Sequence, residues 1–226
     1  MSREQDRRKI IAAWLFAVAA CVAGMIILGG LTRLTHSGLS MVDWRPVTGW
    51  LPPMSEAEWE GAFARYRVYP EYQKLNLGMT LTEFKSIFWL EFVHRLWGRI
   101  IGVIFVVPMA VFLVKGWVGR DLAPKLVFLF ILGGLQGVMG WYMVKSGLVS
   151  RPDVSQYRLA AHLALAFVII GYLLWLGLAL VRPRAPGDQA GPWGREHARW
   201  AWSLLGLVFM TALSGAFVAG LDAGLT

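Results

Sequence analysis

Two short strings hold the side chains most able to do chemistry. The first reads Glu91-Phe92-Val93-His94-Arg95 and the second Tyr157-Arg158-Leu159-Ala160-Ala161-His162-Leu163. On a helix, residues three and four apart share a face, so Glu91, His94 and Arg95 become neighbours. A carboxylate beside an imidazole can move protons, and the imidazole can ligate a metal. A plainer reading is equally open: a Glu91–Arg95 ion pair with His94 as a hydrogen-bonded core residue. Each string opens a long apolar run, where an ionisable group is costly and defaults to a functional hypothesis.

The elements that position these residues are membrane spans. The 226-residue chain is 57% hydrophobic and 16% charged, with 12 Trp and 12 Phe. A water-soluble domain of that composition would expose too much apolar surface. Runs of about 20 apolar residues match a hydrocarbon core roughly 30 Å thick. Five such spans are expected: Ile10–Leu31, Phe88–Val114, Leu126–Val144, Leu159–Val181 and Trp200–Gly220. The basic Met1–Lys9 segment lacks a small-residue cleavage site and reads as the lead-in to an uncleaved first helix. Cys21 is the one cysteine, which excludes a disulfide or a CxxC site within the chain. The net charge of +8 points to basic cytoplasmic loops rather than to nucleic acid.

Charge orients the spans. The segments before span one, between spans two and three, and between spans four and five hold eleven cations against five acids. The long segment from Thr32 to Ile87 holds six of each. The positive-inside rule then places the N-terminus in the cytoplasm and Glu91 and His94 at the outer face. Within the long segment, Ser55…Glu58 and Thr80…Glu83 read as capping boxes. The first opens a short helix through Trp59, Phe63 and Tyr66; the second leads into span two. Trp44, Trp50, Trp59 and Tyr66 suggest that this segment lies against the headgroup layer.

Spans two and four both run from outside to inside, so His94 and His162 fall at similar depth. Two imidazoles at matched depth on parallel-running helices suit axial ligation of a haem in a bundle core. No Cys, Asp or second Glu joins them, which gives a zinc or di-iron site little support. His36, in the turn Thr35-His36-Ser37-Gly38, and His197, among linker arginines, look unlike ligands. Span three carries Gly133-Gly134-Leu135-Gln136-Gly137-Val138-Met139-Gly140-Trp141. Its small residues admit close helix packing or a flat macrocycle. Gln136, an amide at depth, needs a partner.

Four strings in this order resemble the haem A synthase family: Gly29-Gly30-Leu31-Thr32-Arg33-Leu34-Thr35-His36-Ser37-Gly38-Leu39-Ser40, Glu91-Phe92-Val93-His94-Arg95, Gly133-Gly134-Leu135-Gln136-Gly137 and Tyr157-Arg158-Leu159-Ala160-Ala161-His162-Leu163. The resemblance runs from about residue 10 onward. It is to the bacterial and mitochondrial branch without a cysteine pair in the outer loop. It implies oxidation of the haem O methyl group to the formyl group of haem A, for cytochrome oxidase biogenesis. His94 and His162 match the iron ligands of the substrate haem, and Glu91 matches the proposed catalytic acid/base. Arg95 and Arg158 are placed to pair with haem propionates or to reach lipid phosphates. The partners implied are haem O and haem A, the lipid bilayer, haem O synthase, cytochrome oxidase assembly factors and a second copy of the chain. No transit peptide is seen, so a bacterial inner membrane is expected.

The family has eight spans in two four-helix halves, the second holding a haem b. The expected fold is therefore an all-α integral membrane protein: a four-helix transmembrane bundle plus the first helix of a truncated second repeat. Residues 1–181 form the substrate-haem-binding bundle, with outer loop 32–87. Residues 182–199 form a cytoplasmic linker, and residues 200–226 begin the second repeat. Gly224-Leu225-Thr226 aligns with Gly38-Leu39-Ser40. The ligands of the haem b lie outside this sequence, which reads as a fragment or a truncated form. An alternative is a non-catalytic bis-histidine haem protein for electron transfer or haem delivery. A transporter is a weaker reading, because the intramembrane charges cluster at one end.

Overall fold

A computed structural model describes residues 3–45, 47–147, 154–182 and 192–223. Seven helices follow in order: α1 (Arg3–Leu34), α2 (Glu56–Arg67), α3 (Pro70–Lys74), α4 (Leu81–Val114), α5 (Ala123–Gly147), α6 (Gln156–Val181) and α7 (Pro192–Gly220). Five of them, α1, α4, α5, α6 and α7, are long and apolar enough to cross a membrane. The chain is an all-α, multi-pass membrane protein. The helices overrun the apolar spans because polar turns continue them past the hydrocarbon. α4 opens at Leu81 rather than Phe88, on the Thr80/Glu83 capping box. The Ser55/Glu58 box opens α2 in the same way.

Four of the long helices form a bundle in which α1 packs on α4 and α6, and α5 packs on the same two. The backbones of α4 and α6 do not approach each other closely among the described residues, so they sit on a diagonal. α7 packs outside this square, against α6 and α1. Indole N–H groups help fix α1 on α4: Trp14 donates to the Ile104 carbonyl (2.8 Å) and Trp97 to that of Cys21 (3.0 Å).

Buried side chains fall into two clusters. One fills the far end of the bundle and includes Trp14, Leu15, Val18, Phe105, Phe112, Leu126, Leu129 and Leu173. The other lies under the 37–80 segment: Trp59, Phe63, Tyr66, Phe84, Phe88 and Phe92. This corrects the expectation that Trp59 and Tyr66 rest on headgroups. They are 8% and 0% exposed, Trp59 edge-on to Phe88 and Tyr66 tilted against Phe84, and of the four only Trp44 and Trp50 remain exposed. The α2 helix presents Trp59, Phe63 and Tyr66 on one face at helical spacing, so α4 buries all three together. Burial and nearby Glu71 raise the Tyr66 hydroxyl well above its ordinary range, which makes it a packing residue rather than an acid. Between the two clusters lies a level of partly exposed residues, and it contains both histidines of the two strings.

The ends of α1 and α7 repeat one another. His36 and Asp222 both take left-handed backbone (φ 51° and 53°). In each case the residue after them donates back to a helix carbonyl, Ser37 to Thr32 (3.0 Å) and Ala223 to Val218 (3.1 Å). This is the Schellman pattern that ends a helix. Asp222 Oδ1 accepts from Arg33 at 2.9 Å and lies 3.7 Å from His36 Nε2, tying the two ends together. Gly224-Leu225-Thr226 and much of the 182–199 linker lie outside the described residues.

Candidate functional site

Glu91 is the best-held side chain at this end of the bundle. It is 2% exposed, although it is a carboxylate on a membrane-spanning helix. Its Oε2 accepts from the Ser40 hydroxyl (2.7 Å) and the Met41 amide (2.6 Å). Its Oε1 accepts from the Arg95 guanidinium one turn on. Arg95 also donates to the carbonyls of Met41 (2.7 Å) and Asp43 (3.0 Å), and it lies over the Trp44 ring. A buried charge persists only when paired and hydrogen-bonded, and here both conditions hold. Together the two residues clamp the segment 40–43 onto α4.

His94 projects from α4 toward α1. A Cβ on Gly29 would stand 3.2 Å from His94 Nε2, a tight contact that the ring would relieve by shifting a few tenths of an ångström. His94 makes no hydrogen bond among the described residues. His162 projects from α6 toward α5, where a Cβ on Gly140 would stand 3.3 Å from its Cε1. Gln136, one turn before Gly140, places Nε2 3.1 Å from the His162 carbonyl and 3.3 Å from its Nε2. The amide singled out in the sequence thus finds its partner in a histidine. Yet His162 Nδ1 and Gln136 Oε1 are buried with no partner among the described residues.

The remaining residues are sorted by the same geometry. Arg158 stacks on Tyr142 of α5, with its guanidinium carbon 4.5 Å from the ring centre. His36 belongs to the Arg33–Asp222 tie, and His197 is exposed on α7. Among the described residues no three His, Cys, Asp or Glu side chains converge as a metal cluster. Sequence reasoning missed three contributors: Gly29 and Gly140 as the backing of the rings, and Ser40 as a donor to Glu91. Ser40 is buried (2% exposed) but lies far from Glu91 in the chain, so no local signal links them.

Fold and site define a class: a multi-pass membrane bundle with two glycine-backed histidines on diagonal helices and a clamped carboxylate one turn from the first. A family model described as cytochrome oxidase assembly protein (COX15-CtaA) matches residues 12–226, and the chain belongs to this family. Curated relatives named heme A synthase include one from Paramagnetospirillum magneticum, 52% identical over 95% of this chain and 61% of the relative. Another, from Rhodospirillum centenum, is 53% identical over 96% of this chain and 57% of its own length. The human protein named heme A synthase COX15 is 48% identical over 96% of this chain and 54% of its own length. The chain thus spans a little over half the length of these relatives. No solved structure matches it.

Proposed function

We propose that this chain is the substrate-haem-binding portion of a haem A synthase, which oxidises the haem O methyl group to a formyl group. The observation that carries this reading is the pair of histidines on diagonal helices, each against a glycine of a neighbouring helix, at a level between the two buried cores. Unpartnered His162 Nδ1 and Gln136 Oε1 suit a site built around a ligand, since buried polar atoms are normally satisfied. Neutral imidazole nitrogen is a standard haem ligand, and bundle cores house such groups.

The bound haem would supply the iron and the methyl carbon that is oxidised. His94 and His162 hold and orient it from opposite corners. Gly29 and Gly140 leave room for the outer edges of the two imidazoles. Glu91 serves as acid/base one turn from His94. Gln136 ties α5 to α6 at the level of His162 by donating to the His162 carbonyl. On this reading residues 1–181 are the haem-binding bundle and α7 opens a second repeat, which the matching ends of α1 and α7 support. The Lys/Arg distribution favours a cytoplasmic N-terminus and an outward-facing histidine level, in a bacterial inner membrane. Haem O synthase and oxidase assembly factors are its expected neighbours.

The test is to express the chain, alone and joined to the remainder of a relative, in cells that make haem O but lack haem A. Chromatography of extracted haems should show the formyl form with the joined protein and not with its Glu91→Ala variant. Haem A from the Glu91→Ala protein would remove Glu91 from the chemistry. Bound haem without a formyl product in any form would favour the non-catalytic bis-histidine protein.

A further inference from the structure

The geometry points to Lys145 as the cation that receives the anionic edge of a bound haem, an assignment that rests on the haem-binding reading above. Among the described residues, the cations at the loop end of the bundle include Arg95, Lys145 and Arg158. A cavity of about 360 Å³ opens there between the 41–44 segment, α4 and α5, lined by Met41, Trp44, Tyr69, Arg95, Trp141 and Lys145. Both charged residues of this lining are basic, so the mouth attracts a carboxylate.

The cations differ in what they have left to offer. Arg95 already donates to Glu91 and to two backbone carbonyls, and its charge is matched by the Glu91 carboxylate beneath it. Arg158 does not line the cavity and lies over Tyr142. Lys145 is exposed at the cavity wall and has no acidic partner among the described residues. Its ammonium stands 4.9 Å from the centre of the Trp141 ring, one turn back on α5. That cation–π contact directs the group toward the mouth without neutralising it. Trp141 follows Gly140, so the residue that backs His162 and the platform of Lys145 are consecutive on α5. One helix therefore fixes both the depth of a ligand at His162 and the position of its carboxylates. Arg95 is the clamp of the loop, and Lys145 has no acidic partner among the described residues.

The experiment titrates the full chain in nanodiscs with ferric protohaem and with its dimethyl ester, following the Soret band. Esterification removes the negative charges and leaves the ring and iron intact. The wild type should bind the free acid about tenfold more tightly than the ester, the scale of one charge-assisted contact at a partly exposed site. Lys145→Met should reduce that preference to within about twofold by weakening the free acid alone, while Lys145→Arg retains it. Lys115→Met, at an ammonium 5.1 Å from the centre of the Trp117 ring at the far end of the bundle, should leave the preference in place. A Lys145→Met protein with undiminished preference, or with equal loss for acid and ester, would overturn the assignment while leaving haem binding intact. A wild type that binds neither form would overturn the haem-binding reading itself, and this assignment with it.

Discussion

Changing Glu91 to alanine should release the 40–43 segment from α4, because three donors lose their acceptor at once. The Ser40 hydroxyl and Met41 amide lose bonds of 2.7 and 2.6 Å, and Arg95 loses its counter-charge. Breaking a buried ion pair from one side costs about 3–5 kcal/mol. Arg95 keeps two carbonyl acceptors, so the lower end, about 3 kcal/mol, is expected here. That corresponds to an increase of roughly a hundredfold in the open population of the segment. Hydrogen exchange reads it directly: peptides containing the Met41 amide should exchange about a hundred times faster in Glu91→Ala than in the wild type. Glu91→Gln should fall between the two, since a neutral amide cannot accept from both sides. The Glu91→Leu/Arg95→Met double variant should melt above the temperature expected from adding the single effects, because it leaves no orphan charge. Unchanged protection of Met41 in Glu91→Ala would refute the clamp.

Other expectations follow from the same geometry. Gly29→Ala and Gly140→Ala should each weaken haem binding by roughly five- to a hundredfold, because overpacking against His94 or His162 costs about 1–3 kcal/mol; spectral titration measures it. Trp59→Ala should destabilise the loop-side cluster by about 3 kcal/mol, seen as earlier unfolding of α2 in thermal scans followed by hydrogen exchange. Asp222→Val should cost about 1–2 kcal/mol from its left-handed backbone, whereas Asp222→Gly should lose only the partly exposed Arg33 pair, under about 1 kcal/mol; thermal melts compare the two.

The parts legible in the sequence are those governed by local rules. Apolar run length gave all five spans, and the Ser55/Glu58 and Thr80/Glu83 boxes marked the starts of α2 and α4, since a capping box acts within four residues. The Glu91–Arg95 pairing followed from helical spacing alone. What escaped depended on contacts between distant segments. Trp59 and Tyr66 looked like interfacial aromatics because composition cannot tell a buried ring from one at the headgroups; their burial is decided by α4 lying beneath them. Gly29 and Gly140 read as generic small residues, because what they exclude is an imaginary side chain against a ring on another helix. The Met41 and Asp43 carbonyls that accept from Arg95 lie on a segment distant in the chain, so no local pattern announces them.

Central to the account is that His94 and His162 together ligate one haem. Low-temperature electron paramagnetic resonance of the ferric, haem-loaded chain tests this directly, with optical spectra of His94→Ala and His162→Ala alongside. The account predicts a low-spin bis-imidazole signal in the wild type. Each single variant should convert it to a high-spin form that added imidazole returns to low spin. A low-spin signal that survives loss of either histidine would contradict it.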